Sequence, residues 1–158
     1  MSDGLDEADA RIVAALQADG RAELLDIAAE TGLPGTTVRD RLAALEDRGV
    51  VRGHTVRVDY DRAGYACPVV IRLRVADDAV PTVTERLRDC PRIHSVYELT
   101  GPWNLFAVGR FRSREEFDTY CSRLVTDAAV EAVDVDVVAE TVKEGEPVAP
   151  RVPVTPRE

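Results

Sequence analysis

Apolar residues recur three and four positions apart through the first fifty residues and then give way to alternation, so the chain reads as helices followed by a mixture of strands and helices. Ile12, Val13 and Leu16 share one face of a first helix, with Asp6 placed to cap it and Gly20 to stop it. A second helix is predicted over Glu23 to Thr31, with Leu24, Ile27 and Ala28 inward. After a turn at Gly32 a third runs from Gly35 to Arg48, with Val38, Leu42 and Leu45 inward and Gly49 as its stop. From Val50 to Tyr60 the pattern alternates, Val51, His54, Val56 and Val58 against Arg52, Arg57 and Asp59, which predicts an extended strand leading out of the first domain. Asp61 to Gly64 reads as the linker.

Beyond the linker, Pro68 to Val75 alternates as a strand, Pro81 to Arg88 is helical, and Ile93 to Leu99 and Trp103 to Phe111 form two strands joined by a short turn. Ser113 is placed to cap a helix carrying Phe117, Tyr120, Cys121 and Leu124, and Val130 to Val142 supplies a last strand. The order βαββαβ is the ferredoxin-like arrangement, two helices on one face of an antiparallel sheet. Val69, Ile71 and Val108 cannot all face those two helices, so the other sheet face needs a cover, and a second copy of the chain supplies one. The expected organisation is therefore an α+β chain with a three-helix domain at 1–61, a ferredoxin-like domain at 62–143 and a proline-rich, disordered tail at 144–158.

Composition changes this picture in two respects. With 45% hydrophobic residues the chain has material for a core, but its net charge of −9 runs against the basic surface expected of a nucleic-acid binder. Lys143 is the only lysine among the 20 basic residues, and an acid-rich, lysine-poor chain resembles proteins of high-salt cytoplasms, where repulsion between carboxylates is screened. An acidic protein from a GC-rich genome is the alternative. No apolar run approaches the roughly 20 residues of a membrane span and the N-terminus lacks a signal-peptide pattern, so the expected location is the cytoplasm. Cys67, Cys90 and Cys121 are odd in number and lack metal-ligand spacing, which predicts free thiols in a reducing compartment. No catalytic constellation, metal site or cofactor motif is found.

The details of the first half carry a resemblance. Leu5, Asp6, Asp9 and Ile12, then Asp19, Gly20 and Arg21, Ile27 and Ala28, Thr31, Gly32 and Leu33, Thr36, Thr37 and Val38, Arg41 and Leu42, Leu45 and Glu46, and Gly49 to Gly53 resemble the (winged) helix-turn-helix of the Lrp/AsnC, or feast/famine, transcriptional regulators. The resemblance runs from about residue 5 to residue 142, the βαββαβ half being similar to that family's effector and assembly domain. It implies double-stranded DNA and further copies of the chain as partners. In such proteins the third helix enters the major groove.

Burial of Val38, Leu42 and Leu45 turns Thr36, Thr37, Arg39, Asp40 and Ala43 outward. Arg39 suits guanine O6 and N7, Asp40 suits cytosine N4, and Arg21, Arg41, Arg48 and Arg52 are phosphate candidates. Each arginine can instead be a solvated charge paired with an acid. Where the family usually has a capping serine this chain has Pro34, which removes a cap worth about 1 kcal/mol.

The resemblance also places an effector site, for a small molecule such as an amino acid, at the turn Gly101, Pro102, Trp103 and Asn104. There Gly101 offers a backbone N–H to a carboxylate and Trp103 an apolar wall. Asp134 and Asp136 stand on the last strand where hydroxyl side chains are common; two carboxylates on one face repel a carboxylate ligand, or are simply a solvated strand face.

Two further readings stay open. Siroheme decarboxylases share this architecture, and His94 with Trp103 and Asn104 resembles their histidine and following aromatic segment. The other is a metabolite sensor that acts on a protein partner and no longer uses its helix-turn-helix.

Overall fold

The computed structural model describes residues 4–150, which divide into two compact units, 4–57 with 143–150 and 58–142. The expected tail therefore lies in part outside the described residues, at 151–158.

The first unit holds α1 (Glu7–Ala18), α2 (Leu24–Thr31) and α3 (Gly35–Asp47) around a core of Ile12, Ala15, Ile27, Val38 and Leu45. Asp6 caps α1 by accepting the Asp9 N–H at 2.7 Å. Gly32 ends α2 at φ +70°, a left-handed conformation that glycine adopts without strain, and this makes the tight turn into α3. α3 starts at Pro34 with no side-chain cap, as the sequence predicts. Leu42 is only half-buried, a correction to the expected apolar stripe: Val38 and Leu45 are fully buried, and Arg41, on their side of the helix, turns toward acids of α1.

No strand forms between residues 50 and 60. Alternation there is real, but a strand needs a backbone partner for its N–H and C=O groups, and none of the described residues pairs with this stretch. Residues 144–150 carry no regular secondary structure, yet they contact the first unit: Arg57 pairs with Glu146 at 2.5 Å and the Gln17 side chain donates to the Val148 carbonyl at 3.3 Å.

The second unit is the expected βαββαβ: β1 (Cys67–Val75), α4 (Val80–Asp89), β2 (Ile93–Glu98), β3 (Leu105–Phe111), α5 (Arg114–Val125) and β4 (Val130–Val137). The sheet order is β2-β3-β1-β4, antiparallel throughout. Ser113 caps α5, accepting from the Glu116 N–H at 3.2 Å. Val69, Ile71, Leu73 and Val75 all point to the helix-covered face, where they meet Leu105, Ala107, Phe111, Val83, Leu87 and Phe117. Gly109 is required by packing, since a Cβ there would stand 2.8 Å from the Ile93 side chain and 2.9 Å from the Arg92 carbonyl.

Val70, Arg72, Phe106, Val108 and Tyr97 lie on the opposite face, with the Tyr97 and Phe106 rings 6.1 Å apart. Among the described residues nothing in the second unit covers this face. The linker is held to the same unit by arginine–aromatic stacking, Arg110 over Tyr60 and Arg92 over Tyr65, each at 5.1 Å.

Candidate nucleic-acid interface and effector site

The helix-turn-helix sorts its arginines by their partners. Arg41, a predicted phosphate contact, donates to Asp6 at 2.6 Å and to Asp9 at 2.7 Å. Asp9 is buried at 7% exposure and also receives Arg48 at 3.7 Å. The N–H of Asp9 and the Arg41 guanidinium hold the Asp6 carboxyl below the usual carboxylate range. Arg41 and Arg48 thus tie α3 to α1.

Arg11 pairs with Glu7 and Arg57 with Glu146. Arg21, Arg39 and Arg52 have no carboxylate partner among the described residues, and all three are exposed. Arg39 stands on α3 beside exposed Thr36, Asp40 and Ala43 and half-buried Thr37, while Arg21 and Arg52 border a cleft of about 580 Å³ between the end of α1 and residues 50–57.

At the turn between β2 and β3 the predicted effector residues separate into two roles. Asn104 braces the end of β1: its amide accepts from the Val75 N–H at 2.9 Å and donates to the Val75 carbonyl at 2.7 Å, taking the place of a strand neighbour. Its backbone carbonyl also closes the hairpin by accepting from Leu99 at 2.9 Å. Gly101 and Pro102 are exposed and Trp103 half-buried. Nothing lies within 4 Å of a Cβ built on Gly101, and its φ is not in the left-handed region, so neither packing nor conformation within this chain requires glycine there.

Asp134 and Asp136 are not bare carboxylates. Arg72 on the neighbouring strand reaches Asp134 at 2.5 Å and Asp136 at 2.7 Å, so one guanidinium offsets one of the two negative charges within the sheet face. Sequence reasoning missed Arg72; strand alternation places it on one face of β1, but only the register of β1 against β4 sets it opposite Asp134.

Of the other chemistry-bearing residues, Cys67 is buried and Cys121 half-buried, and burial pushes both thiols up, away from thiolate character. Among the described residues no cluster of histidine, cysteine and acid suits a metal, and no helix is long and apolar enough to cross a membrane.

Two family models meet on this geometry, an AsnC-type helix-turn-helix domain over residues 5–46 and an Lrp/AsnC ligand binding domain over residues 68–148. The chain belongs to the Lrp/AsnC family of transcriptional regulators. The HTH-type transcriptional regulator FL11 of Pyrococcus abyssi is 32% identical over 140 residues, covering 89% of this chain and 93% of the relative. The leucine response regulatory protein LrpA of Mycobacterium tuberculosis superposes with a TM-score of 0.79 at 27% identity, over 92% of this chain and all of that one. A transcriptional regulator of Neisseria meningitidis, solved as a complex with L-methionine, shares the fold with a TM-score of 0.82 at 24% identity, over 89% of this chain and 93% of that one. This Lrp/AsnC chain is a DNA-binding transcriptional regulator, a helix-turn-helix followed by an effector-binding α+β domain.

Proposed function

We propose that this regulator reads its operator with the exposed face of α3. Thr36, Thr37, Arg39, Asp40 and Ala43 approach base edges, and Arg21 and Arg52 hold phosphates. The supporting observation is the partnering of the arginines: those of residues 4–57 that lack a carboxylate are Arg21, Arg39 and Arg52, whereas Arg11, Arg41, Arg48 and Arg57 each have one. An acidic protein that leaves these guanidinium groups unneutralised on its recognition domain keeps them for an external anion.

The working unit is at least a dimer. Support comes from the uncovered sheet face with Val70, Phe106, Val108 and Tyr97, and from the alternating stretch at 50–60 that has no strand partner. The effector is a small molecule of the amino-acid class, as in the Neisseria neighbour, received at Gly101, Pro102 and Trp103. Because Arg72 pairs with both Asp134 and Asp136, it offsets one of their two negative charges and weakens their repulsion of a ligand carboxylate. The single lysine and the net charge of −9 favour a cytoplasm of high salt as the place of action, and no enzymatic step is assigned.

The test is affinity for an operator found by genome-wide occupancy mapping, against a scrambled duplex, from low to molar KCl. Preference for the operator at every salt is expected. Equal affinity for both duplexes throughout rejects sequence-specific reading, and a monomer by light scattering at micromolar concentration and working salt rejects the assembly.

A further inference from the structure

The structure places His94, which the DNA-binding reading does not use, at a second recess of the effector domain. β2 is an edge strand, and its register against β3 slips between Ile93, opposite Gly109, and Ser95, opposite Val108, so His94 is the extra residue of a β-bulge. Bulges at sheet edges re-aim side chains. Here the bulge borders a recess of about 250 Å³ between β2 and α4, lined by Thr84, Arg88, Ile93, His94, Ser95 and Val96.

Three features of this recess point the same way. The Thr84 hydroxyl is buried with no hydrogen-bond partner among the described residues, an unfavourable state unless something outside the chain completes it. Arg88, in the last turn of α4, has no carboxylate partner among the described residues, although the chain has 29 acids for 20 bases. The His94 ring nitrogen Nδ1 and the Ser95 hydroxyl stand 3.1 Å apart on the same wall. Among the described residues no acid lines the recess, which gathers a guanidinium, an imidazole and two hydroxyls.

We propose that this recess binds a small oxyanion, the carboxylate or phosphate group of a metabolite, with Arg88 supplying charge and the Thr84 hydroxyl donating a hydrogen bond to one oxygen. Its volume lies below that of pockets for drug-sized ligands, so it accepts an anionic group and not a large hydrophobic body. The site stands apart from the β2–β3 turn and does not depend on what binds there.

The chain has two histidines, so proton NMR of the rings of the full-length protein reads the site directly, with His54 as internal control. Inorganic phosphate, sodium acetate and sodium chloride are titrated separately at fixed pH and ionic strength. A saturable shift of the His94 ring with phosphate or acetate, absent from His54, is expected, and the tighter of the two identifies the class of ligand. Arg88→Gln, at an exposed position, should weaken that binding about tenfold or more. Thr84→Val should weaken it too while leaving the melting temperature unchanged or higher, since the substitution removes an unsatisfied hydroxyl at nearly constant volume. No saturation with either anion, the same shift with chloride, or unchanged binding in Arg88→Gln overturns the proposal; the Arg88 arm decides even if Thr84→Val does not fold.

Discussion

The helix-turn-helix and the ferredoxin-like unit both lean on arginine, and they use it differently. In the second unit arginines close the structure upon itself: Arg72 bridges β1 to β4, Arg92 ties the start of β2 to Glu116 of α5 at 2.8 Å, and Arg110 and Arg92 stack on the linker tyrosines. In the first unit Arg41 and Arg48 do the same for α3 and α1, but Arg39, two residues before Arg41, faces solvent with no carboxylate partner among the described residues. An arginine on a recognition helix is therefore not a DNA contact by position alone. Its neighbours decide, and in an acid-rich chain the absence of a neighbouring acid carries the information.

The sharpest way to break this distinction is to exchange the fates of Arg39 and Arg41. Arg39→Ala should cost roughly 1–3 kcal/mol of operator affinity and relax preference at one base position, with the urea midpoint unmoved. Arg41→Ala should do the opposite, lowering stability by about 1–2 kcal/mol, because buried Asp9 loses its closest cation while Asp6 stays solvated. Anisotropy titrations and urea unfolding of both variants give the four numbers. If Arg41→Ala weakens DNA binding at unchanged stability, the partner rule fails.

A second contrast lies inside the effector turn. Asn104→Ala leaves the Val75 N–H and carbonyl without their partner and should destabilise the second unit by about 1–2 kcal/mol. Trp103→Ala, at the half-buried tip, should change stability less and alter the response of DNA binding to amino acids more. Calorimetric unfolding with and without a panel of amino acids separates the two, and equal destabilisation would return Asn104 to the ligand-contacting group.

Local signals explain why so much of the fold was legible. Asp6 and Ser113 cap the helices they were expected to cap, Gly32 makes the turn, and the switch from helical spacing to alternation marks the sheet. Alternation along 50–60 announces a strand-forming face but not a partner, and within the chain no partner exists among the described residues. Arg41 could have been placed from helical phase, since it lies three residues after Val38 and four before Leu45, inside the apolar stripe and opposite the acids that open α1. Arg72 and Asn104 carry no comparable signal, because their roles depend on strand register and hairpin shape, which two-residue periodicity leaves open.

Acid should act on the two units through different carboxylates. The Asp6 carboxyl is held low by the Asp9 N–H and Arg41, and that of Glu116 by the Arg112 N–H and Arg92. A carboxylate depressed in the folded state stabilises fully above its unfolded value of about 4 and loses that contribution as pH falls through its folded value. Stability should therefore be flat above about pH 6 and fall below about pH 4. Asp6→Asn should flatten the acid limb of the first unit and Glu116→Gln that of the second. Unfolding curves that keep the wild-type slope in both variants would place the acid sensitivity elsewhere.

The smallest effect concerns Glu146. Arg57 belongs with the paired arginines only because the segment after β4 returns Glu146 to it, and both side chains are largely in solvent, at 74% and 41% exposure. Exposed pairs of this kind contribute about 0.2–1 kcal/mol, and a second polar contact of the segment, from Gln17 to the Val148 carbonyl, is long at 3.3 Å. Glu146→Gln should therefore shift stability by less than about 1 kcal/mol. The same change removes the acid that distinguishes Arg57 from Arg52, which borders the same cleft with no carboxylate partner among the described residues. If a missing acid is what makes an arginine available to phosphate, Arg57 then joins the interface, and log K against log salt steepens by at most about 0.9, one further phosphate contact. Affinities for operator DNA across a KCl series, wild type beside Glu146→Gln, read that slope. An unchanged slope would show that Arg57 lies away from the duplex whatever its partner, so that availability to DNA needs position as well as a missing acid.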